Sequence, residues 1–294
     1  MPFIGEISAL AAAIFWAGIS IVFTTVAFRI GAIQLNIDRM ILAAIFLLIT
    51  IFAFSIDFTV NLNQILFLTI SGFIGLVLGD TFLFKSFQEI GPRVTMLIYS
   101  INPAIAAILA YFFLGEVMEV LAITGVLVTL TGIAVVVMEK PNAENKFKTT
   151  RKGLMYALLG AAGQAIGLIF AKGAYSYGDI HSLTATFVRI ASAAIVMLPL
   201  GILFKKYKNP IKLYFKERKT FNLVILGSII GPYLGISLSF VALTNTKIGI
   251  AATLMSTVPV IVLPLTWYFY KEKLTFISIA GAFITVAGVS MLFL

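Results

Sequence analysis

The sequence predicts an all-α membrane protein: ten transmembrane helices arranged as two inverted five-helix repeats. Three observations predict it. Apolar residues make up 61% of the chain and charged residues 11%, with a mean hydropathy of +1.08, whereas a soluble domain carries about 25% charged residues. The apolar residues fall into runs of about 20, the length that crosses a bilayer. The second half also repeats the first: Gly75, Gly79, Phe84, Pro103, Glu116, Gly125 and Gly132 recur as Gly231, Gly235, Phe240, Pro259, Glu272, Gly281 and Gly288, each pair 156 residues apart. A constant lag is the signature of internal duplication.

The expected spans are Ile4–Phe28, Ile33–Phe54, Ile65–Phe84, Thr95–Leu114, Met118–Val137, Gly153–Ala174, Leu183–Leu203, Phe221–Ala242, Ile248–Tyr270 and Leu274–Leu294. They are continuously apolar and too long for barrel strands, which alternate over about ten residues. The N-terminus, Met-Pro-Phe-Ile-Gly-Glu, has no Lys or Arg, so the first run is expected to be retained as a span and not removed as a signal. The longest polar loops, about Glu139–Lys152 and Phe204–Thr220, are too short to form soluble domains. The first joins the copies, giving repeats at 1–138 and 153–294 with a connection at 139–152.

The early helices repeat more weakly. Phe23, Ala27 and Phe28 fall against Phe170, Ala174 and Tyr175 at lag 147, and Arg39, Ala43 and Ala44 against Arg189, Ala193 and Ala194 at lag 150. Five is odd, so the second copy must enter the membrane in the opposite direction. Such inverted repeats are typical of secondary transporters. Seventeen Lys and Arg lie in the odd-numbered loops, from Arg29 to Lys273, against Lys172 and Lys247 near the other boundary. Positive-inside bias then puts the odd loops in the cytoplasm and both termini outside a multi-pass protein of the cell membrane. The net charge of +9 is taken up by these loops, so topology and not nucleic-acid binding explains it.

Two strings carry a resemblance: Asn102-Pro103 through Leu114-Gly115-Glu116, and Val258-Pro259 through Tyr270-Lys271-Glu272. Each precedes a last helix with two glycines seven apart, Gly125/Gly132 and Gly281/Gly288. This pattern resembles the EamA family of the drug/metabolite transporter superfamily, over nearly the whole chain and twice. Lys271 departs from the first copy's Gly115. The resemblance implies ten helices in two inverted repeats and secondary transport of small metabolites, often export of amino acids or drugs.

The chain has no cysteine and one histidine, His181. Disulfides, thiolate chemistry and multi-His metal sites are excluded. No cofactor is expected, nor is a nucleotide-driven engine, since no Gly-x-x-x-x-Gly-Lys-Ser/Thr string occurs. Asp80, inside span three, is the leading ionisable candidate, because a carboxylate at depth usually faces a polar cavity. It reads as a proton site or a contact for a cationic substrate group, against an acid paired with Lys85 or neutral near the cytoplasmic end. Arg39 and Arg189 are repeat mates about 9 Å inside their spans at the helical rise. Either can bind a carboxylate or snorkel; Arg39, beside Asp38, is expected to snorkel, and Arg189 stays open between the two. Glu6 is expected to be solvated. Glu116 and Glu272 are expected to sit at the N-terminal ends of the last helices, where a carboxylate suits the dipole.

Pro103 and Pro259 interrupt corresponding spans, freeing the carbonyls of Tyr99 and Met255, and such matched breaks point to a transporter's site. Tyr99, Asn102 and Ser256 adjoin the breaks, and Trp16, Gln164 and Tyr233 are expected to complete the cavity. The expected substrate-binding set is therefore Trp16, Asp80, Tyr99, Asn102, Gln164, Arg189, Tyr233 and Ser256. Gly75/Gly79, Gly163/Gly167 and Gly231/Gly235 read as close-packing pairs. The expected partners are the lipid bilayer and a small-molecule substrate, and a monomer suffices because one chain carries both halves. The alternatives are a receptor or scaffold without transport, and an intramembrane enzyme, for which no catalytic set is evident.

Overall fold

In the computed structural model the described residues are 3–114, 119–139, 146–246 and 248–293, and among them there are helices and no strands. Helix α1 covers Ile4–Ile30 and α2 Ala32–Ala53, joined at Gly31, whose φ of 92° needs a residue without a Cβ. Helix α3 (Leu62–Ser71) passes through a π-helical segment, Gly72–Gly79, into α4 (Asp80–Tyr99). Then come α5 (Asn102–Leu114), α6 (Val120–Val137), α7 (Arg151–Ala174), α8 (Ser182–Leu203) and the short α9 (Pro210–Lys216). Helix α10 (Arg218–Ser228) continues through a second π-helical segment, Ile229–Gly235, into α11 (Ile236–Asn245), followed by α12 (Ile248–Met255), α13 (Val258–Tyr270) and α14 (Phe276–Met291).

Among the described residues, eight helices are long and apolar enough to cross a membrane. Helices suit lipid because they satisfy their own backbone polar groups. The expected spans differ in two places. Leu62–Tyr99 counts as one helical run of 38 residues, yet Gly91 inside it has φ 74° and ψ 172° and precedes Pro92, so two helices meet there at an angle. A Cβ on Gly91 would also lie 2.5 Å from Phe147. Helix α14 has 16 residues, shorter than the expected span, because Thr275 caps its start by accepting from the backbone N–H of Ser278.

The packing pairs each half with the other. The α3–α4 run lies antiparallel on α7: Ser71 donates to the Gly167 carbonyl at 2.6 Å, and Ser86 donates to that of Gly153 at 3.0 Å. Its repeat mate, the α10–α11 run, lies on α1, where Gly227 faces Phe23 and Gly235 faces Trp16. Helices α6 and α14, the last of each repeat, pack on one another antiparallel. A Cβ on Gly125 would lie 2.7 Å from the Gly288 carbonyl, and one on Gly132 2.8 Å from that of Gly281. Small residues permit this approach, which membrane helices need because lipid supplies no hydrophobic drive between them.

The loops gather at two ends. At one, Phe147 meets Phe28 and Tyr270, and Arg29 donates to Thr220 at 3.3 Å. At the other, Asn61 donates to the Tyr177 carbonyl and Thr184 to that of Asp57. Thr59 donates from side chain and backbone to Asp57, holding that carboxyl below its usual range.

Candidate functional site

Two interruptions recur at matched places in the repeats. The π-helical segments Gly72–Gly79 and Ile229–Gly235 end 156 residues apart, and α4/α5 and α12/α13 break at Ser100–Ile101 and Ser256–Thr257. Pro103 and Pro259 stand second in α5 and α13, inside the first turn, where a missing N–H costs nothing because no intrahelical acceptor exists for it. Tyr99 and Met255 are the last residues before the breaks. π-helical turns are uncommon and concentrate at functional positions.

Asp80 follows the first π-helical segment and is buried at 4% exposure. Arg39 of α2, 8% exposed, forms an ion pair with it and donates through Nε to Asn36 Oδ1 at 3.1 Å. Asn36 in turn donates to the Leu76 carbonyl at 2.8 Å and to Thr81 Oγ1 at 3.0 Å, tying α2 to the π-helical segment. The Arg39 guanidinium also lies 4.8 Å from the Phe84 ring centroid and 5.7 Å from that of Phe23. On the other side of Asp80, Gln164 of α7 donates to Oδ1 at 3.4 Å, while its Oε1 accepts from Arg189 of α8 at 2.6 Å. The Tyr99 side chain lies partly buried next to this network. The cluster therefore holds two guanidiniums and one carboxylate, and Nε of Arg189 is buried with no partner among the described residues. Gly75 makes room for it: a Cβ there would lie 2.6 Å from Arg189 and 2.8 Å from Gln164 Oε1.

Of the expected set, the fold brings together Asp80, Tyr99, Gln164 and Arg189. Trp16 stands across from Gly235, packed with Val258 and Val262. Tyr233 points toward α2, its hydroxyl 2.9 Å from Thr50 Oγ1. Ser256 bonds within its own break, to the Thr253 carbonyl at 2.7 Å. Asn102 has a buried Oδ1 with no hydrogen-bond partner among the described residues.

Several sequence expectations need correction. Arg39 does not snorkel; Asp80 neutralises it in the interior, 41 residues away in sequence. Asp80 is accordingly not paired with Lys85, whose ammonium lies over the Phe82 and Tyr156 rings. Glu6 needs none: it stays partly open to solvent at the start of α1, and Thr246 also donates to it at 2.7 Å. Glu272 is not a helix cap: Thr275 caps α14, and Glu272, 2% exposed, pairs with Arg93 at 2.8 Å. Burial pushes its carboxyl above the usual range, opposed by the Arg93 charge. Gly115, Glu116, Lys140 and Lys247 lie outside the described residues.

In the sequence Asp38 is no more than a polar neighbour of Arg39. In the fold it is buried and accepts from Gln34 at 2.9 Å, from Tyr207 at 3.0 Å and from Tyr214. Gln34 also accepts from the backbone N–H of Lys208 at 2.7 Å. The 204–216 segment is thereby fastened to α2. Burial, and then the Asp38 charge, push the Tyr207 and Tyr214 phenols above their usual range, so both remain donors. The sequence signal was the spacing of Gln34 and Asp38, one helical turn apart.

Comparison with known proteins agrees with this architecture. A solved crystal structure is similar with a TM-score of 0.68 at 14% identity, covering 98% of this chain and 95% of that one, a likeness of fold. The uncharacterized transporter YxxF of Bacillus subtilis (strain 168) is 24% identical over 124 residues, 42% of this chain. The match spans 39% of that relative's length. The EamA-like transporter family matches residues 3–138 and again 151–294, so the chain, a multi-pass membrane protein built of two such repeats, belongs to the EamA-like transporter family.

Proposed function

We propose that the protein is a secondary transporter that exports small metabolites, amino acids foremost, by alternating access. The observation that carries this reading is the buried Arg39–Asp80–Gln164–Arg189 network, which joins α2 and α4 of the first repeat to α7 and α8 of the second. Its one uncompensated positive charge suits a substrate carboxylate at Arg189, where a planar guanidinium can bind two oxygens. Asn102, with an acceptor unused among the described residues, suits an amino group. Trp16, Tyr99, Tyr233 and Ser256 would complete the binding set. The matched breaks at Pro103 and Pro259 support a site at the repeat interface.

Dividing Leu62–Leu114 at Gly91 and counting α14 gives ten crossings, in repeats at 1–138 and 153–294. The antiparallel packing of α6 on its mate α14 supports an inverted relation between them. The basic odd loops then lie in the cytoplasm, with both termini outside. Asp80 serves as the proton site: while charged it holds Arg39, and protonation releases it, loosening α2 from α4. A charge shared this way changes the relative energies of two packings, which is what coupling requires.

The test is amino-acid counterflow in proteoliposomes, with and without a pH gradient, for the parent and Asp80→Asn. Saturable flux stimulated by the gradient in the parent alone is the expected result. Equal stimulation in both removes Asp80 as the proton site. Silence with amino acids and with a wider metabolite panel ends the transport reading.

A further inference from the structure

A crevice of about 200 Å³ opens between α2, the first π-helical segment, α4 and α8. Ile33, Leu78, Phe82, Leu200 and Phe204 give it apolar walls. Leu78, Leu200 and Phe204 are exposed, which on a membrane-spanning surface means that the crevice faces acyl chains. Two ammonium groups, Lys85 and Lys206, border it at the end where the basic loops gather.

Lys85 is positioned rather than free to wander. Phe82 and Tyr156 stack with centroids 5.7 Å apart, and the Lys85 ammonium lies 5.5 Å and 5.6 Å from those two rings. Lys152 shares the Tyr156 ring, but its charge is answered by Glu89 at 2.6 Å. Among the described residues neither Lys85 nor Lys206 is in an ion pair with a carboxylate. An apolar slot with two unanswered cations at its interfacial end matches one ligand chemistry: an acyl chain under a negative headgroup.

We propose that this crevice is a binding site for an anionic phospholipid, its phosphate between Lys85 and Lys206 and one acyl chain along Ile33, Leu78 and Leu200. The site adjoins the buried network without being part of it. Thr81 lines the crevice and accepts from Asn36, which accepts from Arg39, the partner of Asp80. A lipid seated there bears on the contact between α2 and α4.

Lipid retention is read without any substrate, so this proposal can fail while the transport reading stands. The full chain is purified and its retained lipid weighed by native mass spectrometry after exchange into phosphatidylglycerol or phosphatidylcholine. Each juxtamembrane lysine contributes about fivefold in affinity for an anionic surface. The parent should therefore retain phosphatidylglycerol over phosphatidylcholine, with about fivefold weaker retention in Lys85→Ala and roughly 25-fold in Lys85→Ala/Lys206→Ala. Lys216→Ala/Lys219→Ala, on the same face but away from the crevice, should match the parent. Unselective retention by the parent overturns the proposal. So does equal retention by Lys85→Ala/Lys206→Ala, or an equal loss in the control variant, which would show a diffuse surface charge in place of a site.

Discussion

Arg39 illustrates how a residue's role depends on what faces it. Beside Asp38 on a helix it resembles an interfacial charge, yet neighbours one apart do not face each other. The two side chains serve different partners, Asp38 the tyrosines of the 204–216 segment and Arg39 the carboxylate of Asp80. Removing one partner of a buried pair leaves a bare charge and costs about 3–5 kcal/mol, whereas replacing both by apolar residues is often neutral. Asp80→Asn should therefore lower the melting temperature in detergent, and Arg39→Met/Asp80→Leu should restore it without restoring flux. A parent-like melt of Asp80→Asn would show that the pair does not lock α2. Gly75→Ala addresses the other guanidinium. Its Cβ would meet Arg189 and Gln164 within 3 Å, so the Gln164–Arg189 contact must shift at a cost of about 1–3 kcal/mol. A roughly tenfold or greater rise in substrate KM, measured in proteoliposomes, is expected, that factor corresponding to 1.4 kcal/mol. An unchanged KM would separate Arg189 from the substrate.

At the scale of elements, two groups of glycines bring helices into close contact. Gly125, Gly132, Gly281 and Gly288 let α6 and α14 touch backbone to backbone. Gly132→Val should force these helices apart, since its Cβ alone would lie 2.6 Å from the Thr285 backbone nitrogen. A loss of about 1–3 kcal/mol is expected from such overpacking, read as a lower melting temperature; a parent-like melt would mean that the α6–α14 contact contributes little. Gly79, Gly160, Gly163 and Gly167 do the same between the α3–α4 run and α7, and so place Gln164 beside Asp80. The helix boundaries were largely legible from apolar run length. The π-helical segments were not, because the glycine spacing that permits close approach does not reveal a change in hydrogen-bond register. Gly91 also escaped notice, since its turn depends on Phe147 packing where a Cβ would be.

At the scale of the whole molecule, the two ends differ in charge and in fastening. The basic end is tied by Glu272 to Arg93, by Glu89 to Lys152 and by Asp38 to two tyrosines. Absence of cysteine permits a direct test of sidedness. Single cysteines at the exposed positions Lys212 and Asp179 should label oppositely in intact cells with an impermeant maleimide: Asp179→Cys at once, Lys212→Cys only after permeabilisation. The reverse pattern would invert the proposed orientation. This end also carries the fastening of the 204–216 segment to α2. That fastening links the segment to α2, whose Arg39 pairs with Asp80 of α4, through adjacent residues on different faces.

By itself the sequence determined the solvent, the element type and the duplication. Lipid admits only backbones that satisfy themselves, so composition and run length sufficed, and a fixed lag survives in the sequence because both copies keep the same packing glycines. The partners of its charges were decided by the tertiary structure alone. Asp80 has Ile236 as its repeat mate, while Arg39 has Arg189, so duplication would have paired neither. Which carboxylate meets which guanidinium depends on the helix faces that α2, α4, α7 and α8 turn toward one another. Those faces are fixed by close glycine contacts between residues far apart in the chain, and a linear pattern does not encode them.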